Sequence, residues 1–390
     1  MDKDNSQLLT AGRAGLYIHI PFCRQKCPYC DFYSITDLSL VPPFIDALKK
    51  EMFLTCGHPL RFDSVYIGGG TPSVLGPDGI AEILTSAHQN FQIIPDCEIT
   101  VEINPGTIDA ADLTDYKQSG INRVNIGVQS FCDQNLEFLG RTHSAKVAAD
   151  TVKNTQKAGV QNFGLDFIYG IPGQAQSNWR KDLSKAVSFE PRHIACYMLT
   201  YEQGTPLAKR RQEGVFQPVA EAQVADLFTF TVEFLASHGY QQYEVSNFAV
   251  SKNSRSRHNQ KYWSFAPYIG LGPSAHSFVE PLRFWNHSEV ITYITELNAG
   301  REAIAGKETL TQEQLMIEAI YLGLRQTEGI DLAGFEAKFK IPFIDQFQEE
   351  IKRFEEKGYL RVTDQQCALS SKGMCFLDSI AAAFTSKQLI

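Results

Sequence analysis

Three cysteines lie within eight residues of one another, at Cys23, Cys27 and Cys30, directly after a short β-rich run. A loop that follows a strand can curl around a metal centre and bring three thiolates to it. A lone tetrahedral zinc ion would require a fourth ligand. The candidates are His19, which lies within the run, and His58, which belongs to another segment. A four-iron cluster normally takes four cysteines, so three would leave one iron open to a substrate.

The remaining six cysteines indicate neither a metal site nor a set of disulfides. The chain has nine, an odd number, and its first residues lack the apolar stretch of an export signal, so a disulfide framework is disfavoured. The six outside the triplet stand singly among apolar residues, which predicts small buried side chains at Cys56, Cys97, Cys132, Cys196, Cys367 and Cys375.

Other residues suited to chemistry recur where later β-rich runs end. A glycine-rich turn, GGGTPS at 68–73, follows the second run, Glu102, Gln129 and Asp166 lie at the ends of later ones, and Arg141 follows in LGRTH. Glycine backbone approaches a ligand closely and offers carbonyls to an ammonium. Carboxylates accept hydrogen bonds from hydroxyls, and arginine pairs with a carboxylate. Each residue alone is more often structural, but the ordered set indicates one ligand site.

The runs that carry these residues alternate with helix-like segments from Leu16 to about Thr200. The six runs are rich in apolar and β-branched residues, and the segments between them show helical spacing. Repeated β-α units require a parallel sheet covered by helices, with the active site at the carboxyl ends of the strands. Because six units are fewer than the eight of a closed barrel, we predict an α/β fold, a partial (β/α)6 barrel with an open side.

Three regions are predicted along the chain. Residues 1–200 form the partial barrel with the cluster and ligand site. Residues 201–305 form a bridging and lid region that contains a helix near 218–237, the strand-like YEVSNFAV and the polar run SKNSRSRHNQ. Residues 306–390 read as helices followed by a hairpin, the order of a winged-helix-like α+β domain.

The charge balance disfavours a broad nucleic-acid surface. The chain has 36 Lys and Arg against 44 Asp and Glu, a net charge of −8, and residues 309–390 hold nine basic and twelve acidic residues. We therefore expect the C-terminal domain to dock or cap rather than to bind nucleic acid. No stretch reaches the roughly 18 apolar residues of a membrane span, and together with the missing export signal this predicts a cytoplasmic protein.

The segment YIHIPFCRQKCPYCDF resembles the cluster loop of the radical S-adenosylmethionine (SAM) superfamily. More narrowly, it resembles the branch that contains oxygen-independent coproporphyrinogen III oxidase and a related heme chaperone, and the resemblance extends over nearly the whole chain. In that superfamily SAM chelates the open iron, and the reduced cluster cleaves SAM to methionine and a 5'-deoxyadenosyl radical. The resemblance implies a [4Fe-4S] cluster on Cys23, Cys27 and Cys30 and a SAM pocket made of Tyr17, Tyr29, Gly69, Gly70, Thr71, Glu102, Gln129, Arg141 and Asp166.

Two departures from the oxidase pattern favour the heme chaperone within the branch. Phe32 stands where the oxidase carries a further cysteine. The stretch ahead of the first strand is about fifteen residues, shorter than the arm that helps to form the substrate site of the oxidase. Both departures disfavour decarboxylation of coproporphyrinogen.

A third feature agrees with the chaperone. His258, Tyr262 and Trp263 match the His-Asn-x-x-Tyr-Trp motif to which heme binding is attributed in that family. Imidazole ligates heme iron, and aromatic rings offer faces to a macrocycle. A core role for the two aromatic residues is the alternative, and His143 and Cys56 stay open as other heme contacts.

The resemblance therefore implies a heme chaperone that passes heme to acceptor hemoproteins such as respiratory enzymes. An electron donor would serve the cluster, and respiratory clients would allow peripheral association with a membrane. The ligand motifs leave SAM cleavage open. One alternative is the oxidase itself, which decarboxylates coproporphyrinogen III to protoporphyrinogen IX. A second is a radical SAM enzyme that modifies RNA.

Overall fold

The computed structural model describes residues 13–385. The short arm predicted ahead of Leu16 lies largely outside them. The first half of the chain forms the predicted barrel, whose strands are β1 (Ala14–Ile20), β2 (Arg61–Gly69), β3 (Gln92–Ile103), β4 (Arg123–Gln129), β5 (Phe163–Tyr169) and β6 (His193–Met198). All five neighbouring pairs are parallel and follow the order of the chain.

Six helices connect these strands. They are α1 (Val41–Thr55), α2 (Gly76–Asn90), α3 (Ala110–Gln118), α4 (Asp133–Phe138), α5 (Ala145–Lys157) and α6 (Gln176–Ser188). Within the described residues β1 and β6 do not pair with each other, so the barrel is partial and open, as predicted.

The strands are apolar on the face that the helices cover and more polar on the inner face. In β1, for example, Leu16, Ile18 and Ile20 are fully buried, while Tyr17 and His19 alternate with them and face the interior. This alternation lets one set of strands hold a core and a ligand site at the same time.

The region after the barrel extends the sheet at both edges. Its elements are α7 (Pro206–Gln212), α8 (Glu221–Ser237), β7 (Gln241–Gln242), β8 (Asn247–Ala249), α9 (Arg257–Trp263), β9 (Tyr268–Leu271), β10 (His276–Val279), β11 (Leu282–Asn286), α10 (Val290–Asn298) and β12 (Ile304–Thr309). Strand β9 pairs in parallel with β1, and β8 pairs antiparallel with β6. The polar run predicted as part of a lid forms a short 3-10 turn and the start of α9, which packs against β1 and β2.

The last region is a small α+β domain. It comprises α11 (Gln312–Arg325), β13 (Ile330–Asp331), α12 (Leu332–Phe339), α13 (Phe343–Gln346), α14 (Gln348–Glu356), β14 (Leu360–Val362), β15 (Gln366–Leu369), α15 (Ser371–Met374) and α16 (Leu377–Thr385). Its three strands form an antiparallel sheet in the order β13-β15-β14, and the hairpin follows the helices as predicted. Over residues 13–385, no helix combines the length and the apolar character needed to cross a membrane.

The isolated cysteines differ in burial. Cys97, Cys196 and Cys367 are buried as predicted, and Cys132 and Cys375 are partly buried. The prediction is wrong for Cys56, which is exposed, because it follows the last turn of α1, where the chain leaves the barrel surface.

Candidate functional site

The loop after β1 folds back on itself and gathers the cysteine triplet. The Ile35 N–H donates to the Pro21 carbonyl at 2.8 Å, and the Cys23 N–H donates to the Ile35 carbonyl at 2.9 Å. Inside this closed loop, the Cys30 N–H donates to the Cys27 carbonyl at 3.1 Å. The Cys23 thiol is buried, while Cys27 and Cys30 are partly exposed.

Hydrogen-bond donors from two other loops reach two of the sulfurs. Thr71 Oγ1 donates to Cys23 Sγ at 3.4 Å, and Arg141 Nη1 donates to Cys27 Sγ at 3.6 Å. Burial raises the pKa of the Cys30 thiol, and the charges of Cys27 and Cys23 add to this. Donors aimed at sulfur stabilise thiolates and tune an iron-sulfur centre.

This donor set fits a four-iron cluster. Across the described part of the chain, no three His, Cys, Asp or Glu side chains converge as they would around a single metal ion. A four-iron cluster is larger, and each cysteine binds a different iron. Of the two histidines considered for zinc, His19 has both ring nitrogens occupied, Nδ1 by the Tyr17 hydroxyl at 3.0 Å and Nε2 by the Tyr33 carbonyl at 2.9 Å.

The glycine-rich turn lies directly against the cluster loop. The Thr71 N–H donates to the Phe22 carbonyl at 2.7 Å. A Cβ at Gly70 would lie 2.6 Å from that same carbonyl oxygen, and a Cβ at Gly69, where φ is 109°, would lie 2.6 Å from the His19 ring. Glycine is therefore required at these two positions by the approach of the turn to the cluster loop, whatever ligand it also meets.

Two carboxyl groups, Glu102 of β3 and Asp166 of β5, lie near enough for the charge of one to act on the other. The Tyr66 hydroxyl donates to Glu102 Oε1 at 2.6 Å, and Asn125 Nδ2 lies 3.4 Å from Asp166 Oδ1. Burial raises the pKa of Glu102. Burial, reinforced by the charge of Glu102, raises the pKa of Asp166 to about 7. This pair suits hydroxyl groups that donate hydrogen bonds to carboxylates.

Arg141 connects the carboxylate side of the pocket with the cluster loop. Its Nη2 donates to Asn104 Oδ1 and, at 3.1 Å, to the Gly127 carbonyl. Tyr29 lies beside it: burial raises the pKa of this tyrosine, and the charge of Arg141 partly opposes that rise. The buried Arg141 Nε makes no hydrogen bond to the described residues. An arginine with a nitrogen to spare next to cysteine ligands suits a ligand carboxylate.

Gln129 ends β4 with an unusual backbone. Its φ is 64°, and the pairing of β4 with β5 shifts register between Ile126 and Gln129. Bulges and left-handed residues of this kind re-aim side chains at functional sites. The predicted pocket residues Tyr17, Gly69, Glu102, Gln129 and Asp166 thus all occupy the strands or strand ends of one barrel.

The histidine motif is placed differently from the other predicted residues. The His258 ring is only 1% exposed. Its Nδ1 lies 3.2 Å from Ser64 Oγ and its Nε2 3.0 Å from the Tyr262 hydroxyl, and burial lowers its pKa to about 3. Trp263 points elsewhere and packs against Tyr243, with 5.7 Å between ring centroids. In this structure His258 therefore presents no free ring nitrogen.

The other two candidate heme contacts also differ from each other. His143 is buried, and its Nε2 hydrogen-bonds the Val128 carbonyl at 3.2 Å. The Cys56 thiol is exposed at the end of α1, away from the barrel mouth.

Three residues of the site were missed by sequence reasoning: Tyr66, Asn104 and Asn125. Asn104 and Asn125 lie two and four positions from Glu102 and Gln129, so the period of two along a strand is a signal that could have found them. Asn104 is the partner of Arg141. Tyr66 lies three positions before Gly69, so alternation gives no signal for it, and its hydrogen bond to Glu102 is what places it in the site.

Comparisons with known proteins agree with this geometry. The model of the radical SAM superfamily matches residues 17–186, and that of the HemN C-terminal domain matches residues 310–376. The heme chaperone HemW of Lactococcus lactis is 33% identical over 358 residues, which cover 92% of this chain and 93% of that protein. The heme chaperone HemW of Synechocystis is 37% identical over 330 residues, with coverages of 81% and 79%.

One solved structure shares the complete architecture. Coproporphyrinogen III oxidase (HemN) from Escherichia coli, described as a radical SAM enzyme, matches with a TM-score of 0.83 over 99% of this chain and 94% of that one. The sequence identity is 21%, so this likeness concerns the fold.

Proposed function

We propose that the chain, which belongs to the heme chaperone HemW family within the radical SAM superfamily, binds heme and transfers it to acceptor hemoproteins. One observation carries this proposal: the similarity to proteins named heme chaperone runs over more than nine tenths of the chain. Respiratory enzymes are the proposed acceptors and the cytoplasm is the proposed location. We also propose that an electron donor reduces the cluster and that the protein associates peripherally with a membrane.

Membership in the superfamily implies a [4Fe-4S] cluster and SAM as cofactors. When bound, the cluster supplies the electron for any reductive cleavage of SAM. We assign the cluster to Cys23, Cys27 and Cys30, and the SAM pocket to Tyr17, Tyr29, Gly69, Gly70, Thr71, Glu102, Gln129, Arg141 and Asp166. Two observations support this assignment. Arg141 Nε has no hydrogen-bond partner among the described residues, which suits a ligand carboxylate, and the carboxyl groups of Glu102 and Asp166 suit a pair of hydroxyls.

For heme, we assign a role to the motif that contains His258, Tyr262 and Trp263. The match of the motif to its family supports this role. Ligation of heme iron by the buried His258 would require one of its hydrogen bonds, to Ser64 or to Tyr262, to break and α9 to move away from β1 and β2. Contact of heme with the solvent-facing side of α9 would require neither the loss of a hydrogen bond nor movement of the helix.

The competing function is that of the oxidase, which the shared fold favours. Phe32 disfavours it, because it occupies the place of the further cysteine and is 67% exposed beside the cluster loop. The two functions differ in what leaves the protein, an intact heme or a decarboxylated porphyrinogen.

One experiment separates them. The anaerobically reconstituted protein is supplied with SAM, a reductant and coproporphyrinogen III, and the product mass is followed. A heme-loaded sample is mixed with an apo respiratory cytochrome, and free heme serves as the control for spontaneous loading. We expect no decarboxylated product and faster loading of the cytochrome than from free heme. Product over many turnovers would replace the chaperone with the oxidase, and failure to bind heme would remove the proposed function.

A further inference from the structure

Helix α9, which carries the histidine motif, closes the base of the barrel. The backbone N–H groups of Arg257 and His258 donate to Glu98 Oε1 at 2.9 and 3.4 Å. Lys261 Nζ lies 2.8 Å from Asp63 Oδ1, and this ion pair is only 13% and 11% exposed. The helix is therefore fastened to β2 and β3 at the end of the barrel opposite the cluster loop.

The His258 ring fits closely into this base. A Cβ placed on Gly15 of β1 would lie 3.0 Å from the imidazole, so only glycine at that position leaves space for the ring. On another side, the ring stacks on Tyr66 with 5.2 Å between centroids and 29° between planes. The ring is neutral, and Ser64 and Tyr262 satisfy its two nitrogens.

Tyr66 connects this base to the SAM pocket. Its ring packs on His258, and its hydroxyl donates to Glu102 Oε1 at 2.6 Å. A Cβ on Gly68 would lie 2.9 Å from Tyr66 Cε1 and 3.0 Å from Glu102 Oε2. The tyrosine is thus confined by the histidine and by the glycine turn, and one carboxylate oxygen of Glu102 is held by the phenol.

We propose that His258 is a positioning residue for the SAM pocket: stacked on Tyr66, it keeps the tyrosine hydroxyl on Glu102 and so orients that carboxylate toward the ligand. The inference rests on the proposed assignment of Glu102 to SAM. It gives the first residue of the motif a role that involves no contact with heme.

The physical basis is the geometry of Glu102. A carboxylate has several free rotations, and the Tyr66 hydroxyl on Oε1, together with a backbone hydrogen bond from Gly69, fixes the orientation of Glu102. Without the imidazole face, the Tyr66 ring would gain room on that side, and its hydroxyl would no longer be fixed. Ordering Glu102 would then oppose SAM binding.

Four variants test the proposal in the reconstituted holoprotein: Tyr66→Phe, His258→Ala, His258→Phe and the control His238→Ala. Tyr66→Phe keeps the stacked ring and removes only the hydroxyl. His258→Phe keeps an aromatic face but has no nitrogen for iron. His238 is an exposed histidine stacked on Phe234, with 4.2 Å between centroids, and lies far along the chain from the pocket residues.

The readouts are iron content, the SAM dissociation constant by equilibrium dialysis, and the heme absorption spectrum. We expect full iron content, SAM binding weakened about tenfold by Tyr66→Phe and His258→Ala, recovery to within about threefold of wild type in His258→Phe, and no change in His238→Ala. If His258→Ala does not fold, Tyr66→Phe and His258→Phe decide the question.

Two results would overturn the proposal. One is unchanged SAM affinity in Tyr66→Phe, which would disconnect the phenol from the pocket. The other is a His258→Phe variant that binds SAM no better than the alanine variant. Loss of the heme spectrum in His258→Phe, together with normal SAM affinity in both His258→Phe and His258→Ala, would support ligation of heme iron instead. A wild-type protein that binds SAM and no heme would end the proposed function and leave this inference untouched.

Discussion

The mouth of the barrel, where the carboxyl ends of the strands lie, and its base, where the amino ends lie, contain similar residue types with different roles. At the mouth, Cys27 and Cys30 are partly exposed and Arg141 donates a hydrogen bond to Cys27 Sγ at 3.6 Å. At the base, Arg123 is fully buried 3.8 Å from Glu98, which also accepts hydrogen bonds from the start of α9. Charged residues on one inner face therefore serve ligands at one end of the strands and hold the chain together at the other.

The comparison teaches that position along a strand decides the role of a polar residue in this fold. The carboxyl ends of the strands carry the cluster loop and the glycine-rich turn, whereas α9 covers the amino ends. Loss of a cysteine ligand at the mouth should therefore remove the cluster and spare the fold, whereas loss of a buried charge pair at the base should destabilise the fold.

The largest effect is expected at the mouth, from Cys27→Ser. Iron content after anaerobic reconstitution should fall from about four per chain to near zero, because the thiolate ligand is lost. The melting temperature of the iron-free protein should not change. The control is Cys56→Ser, which alters an exposed thiol outside the site and should keep its iron. Zinc bound in place of iron in the wild type would contradict the assignment.

At the base, Arg123→Met should lower the free energy of unfolding by about 3–5 kcal/mol, because it removes one partner of a buried charge pair. Urea denaturation measures this. Arg13→Met is the matched control, since Arg13 pairs with Asp96 at 3.6 Å on the surface and both side chains are more than half exposed. Its cost should not exceed about 1 kcal/mol. If Arg123→Met and Arg13→Met lowered the free energy of unfolding equally, the base would have no special structural role.

A third change tests whether the mouth tolerates side chains on its backbone. Gly70→Ala places a Cβ against the Phe22 carbonyl, a contact that must shift the cluster loop. Overpacking of this kind costs about 1–3 kcal/mol, and we expect reduced iron retention together with a lower melting temperature. Gly57→Ala, where a Cβ meets nothing within 4 Å, should be neutral in both measurements.

A fourth effect concerns pH. Because the pKa of Asp166 is raised to about 7 in the folded protein, the folded state binds its proton more tightly than the unfolded state between about pH 4 and pH 7. This carboxyl should therefore make the free energy of unfolding fall as pH rises through that window. Asp166→Asn should flatten the dependence, and Asp46→Asn on the exposed face of α1 should not.

Much of the mouth could be predicted from local sequence. The cysteine spacing, the glycine turn and the residues that end β3, β4 and β5 all follow strands whose apolar runs are visible in the sequence. The period of two then assigns them to the inner face. The structure confirms the partial barrel that this pattern predicts.

The base could not be predicted in the same way, because its contacts join distant parts of the chain. His258 meets Ser64 across 194 positions, and no local pattern indicates that a short polar helix enters the barrel. The burial of His258 and the exposure of Cys56 both depend on which surface the rest of the chain covers.

The pairing of β1 with β9 also limits when the barrel can fold during synthesis on the ribosome. Gly15 to Ile18 bond to β2 on one side and to residues 268–271 on the other, so one edge of β1 stays unpaired until the ribosome has made about two thirds of the protein. Such long-range pairing forms late and slowly. We therefore expect ribosome-bound chains that end near residue 200 to bind no stable cluster, although all three cysteines have already emerged.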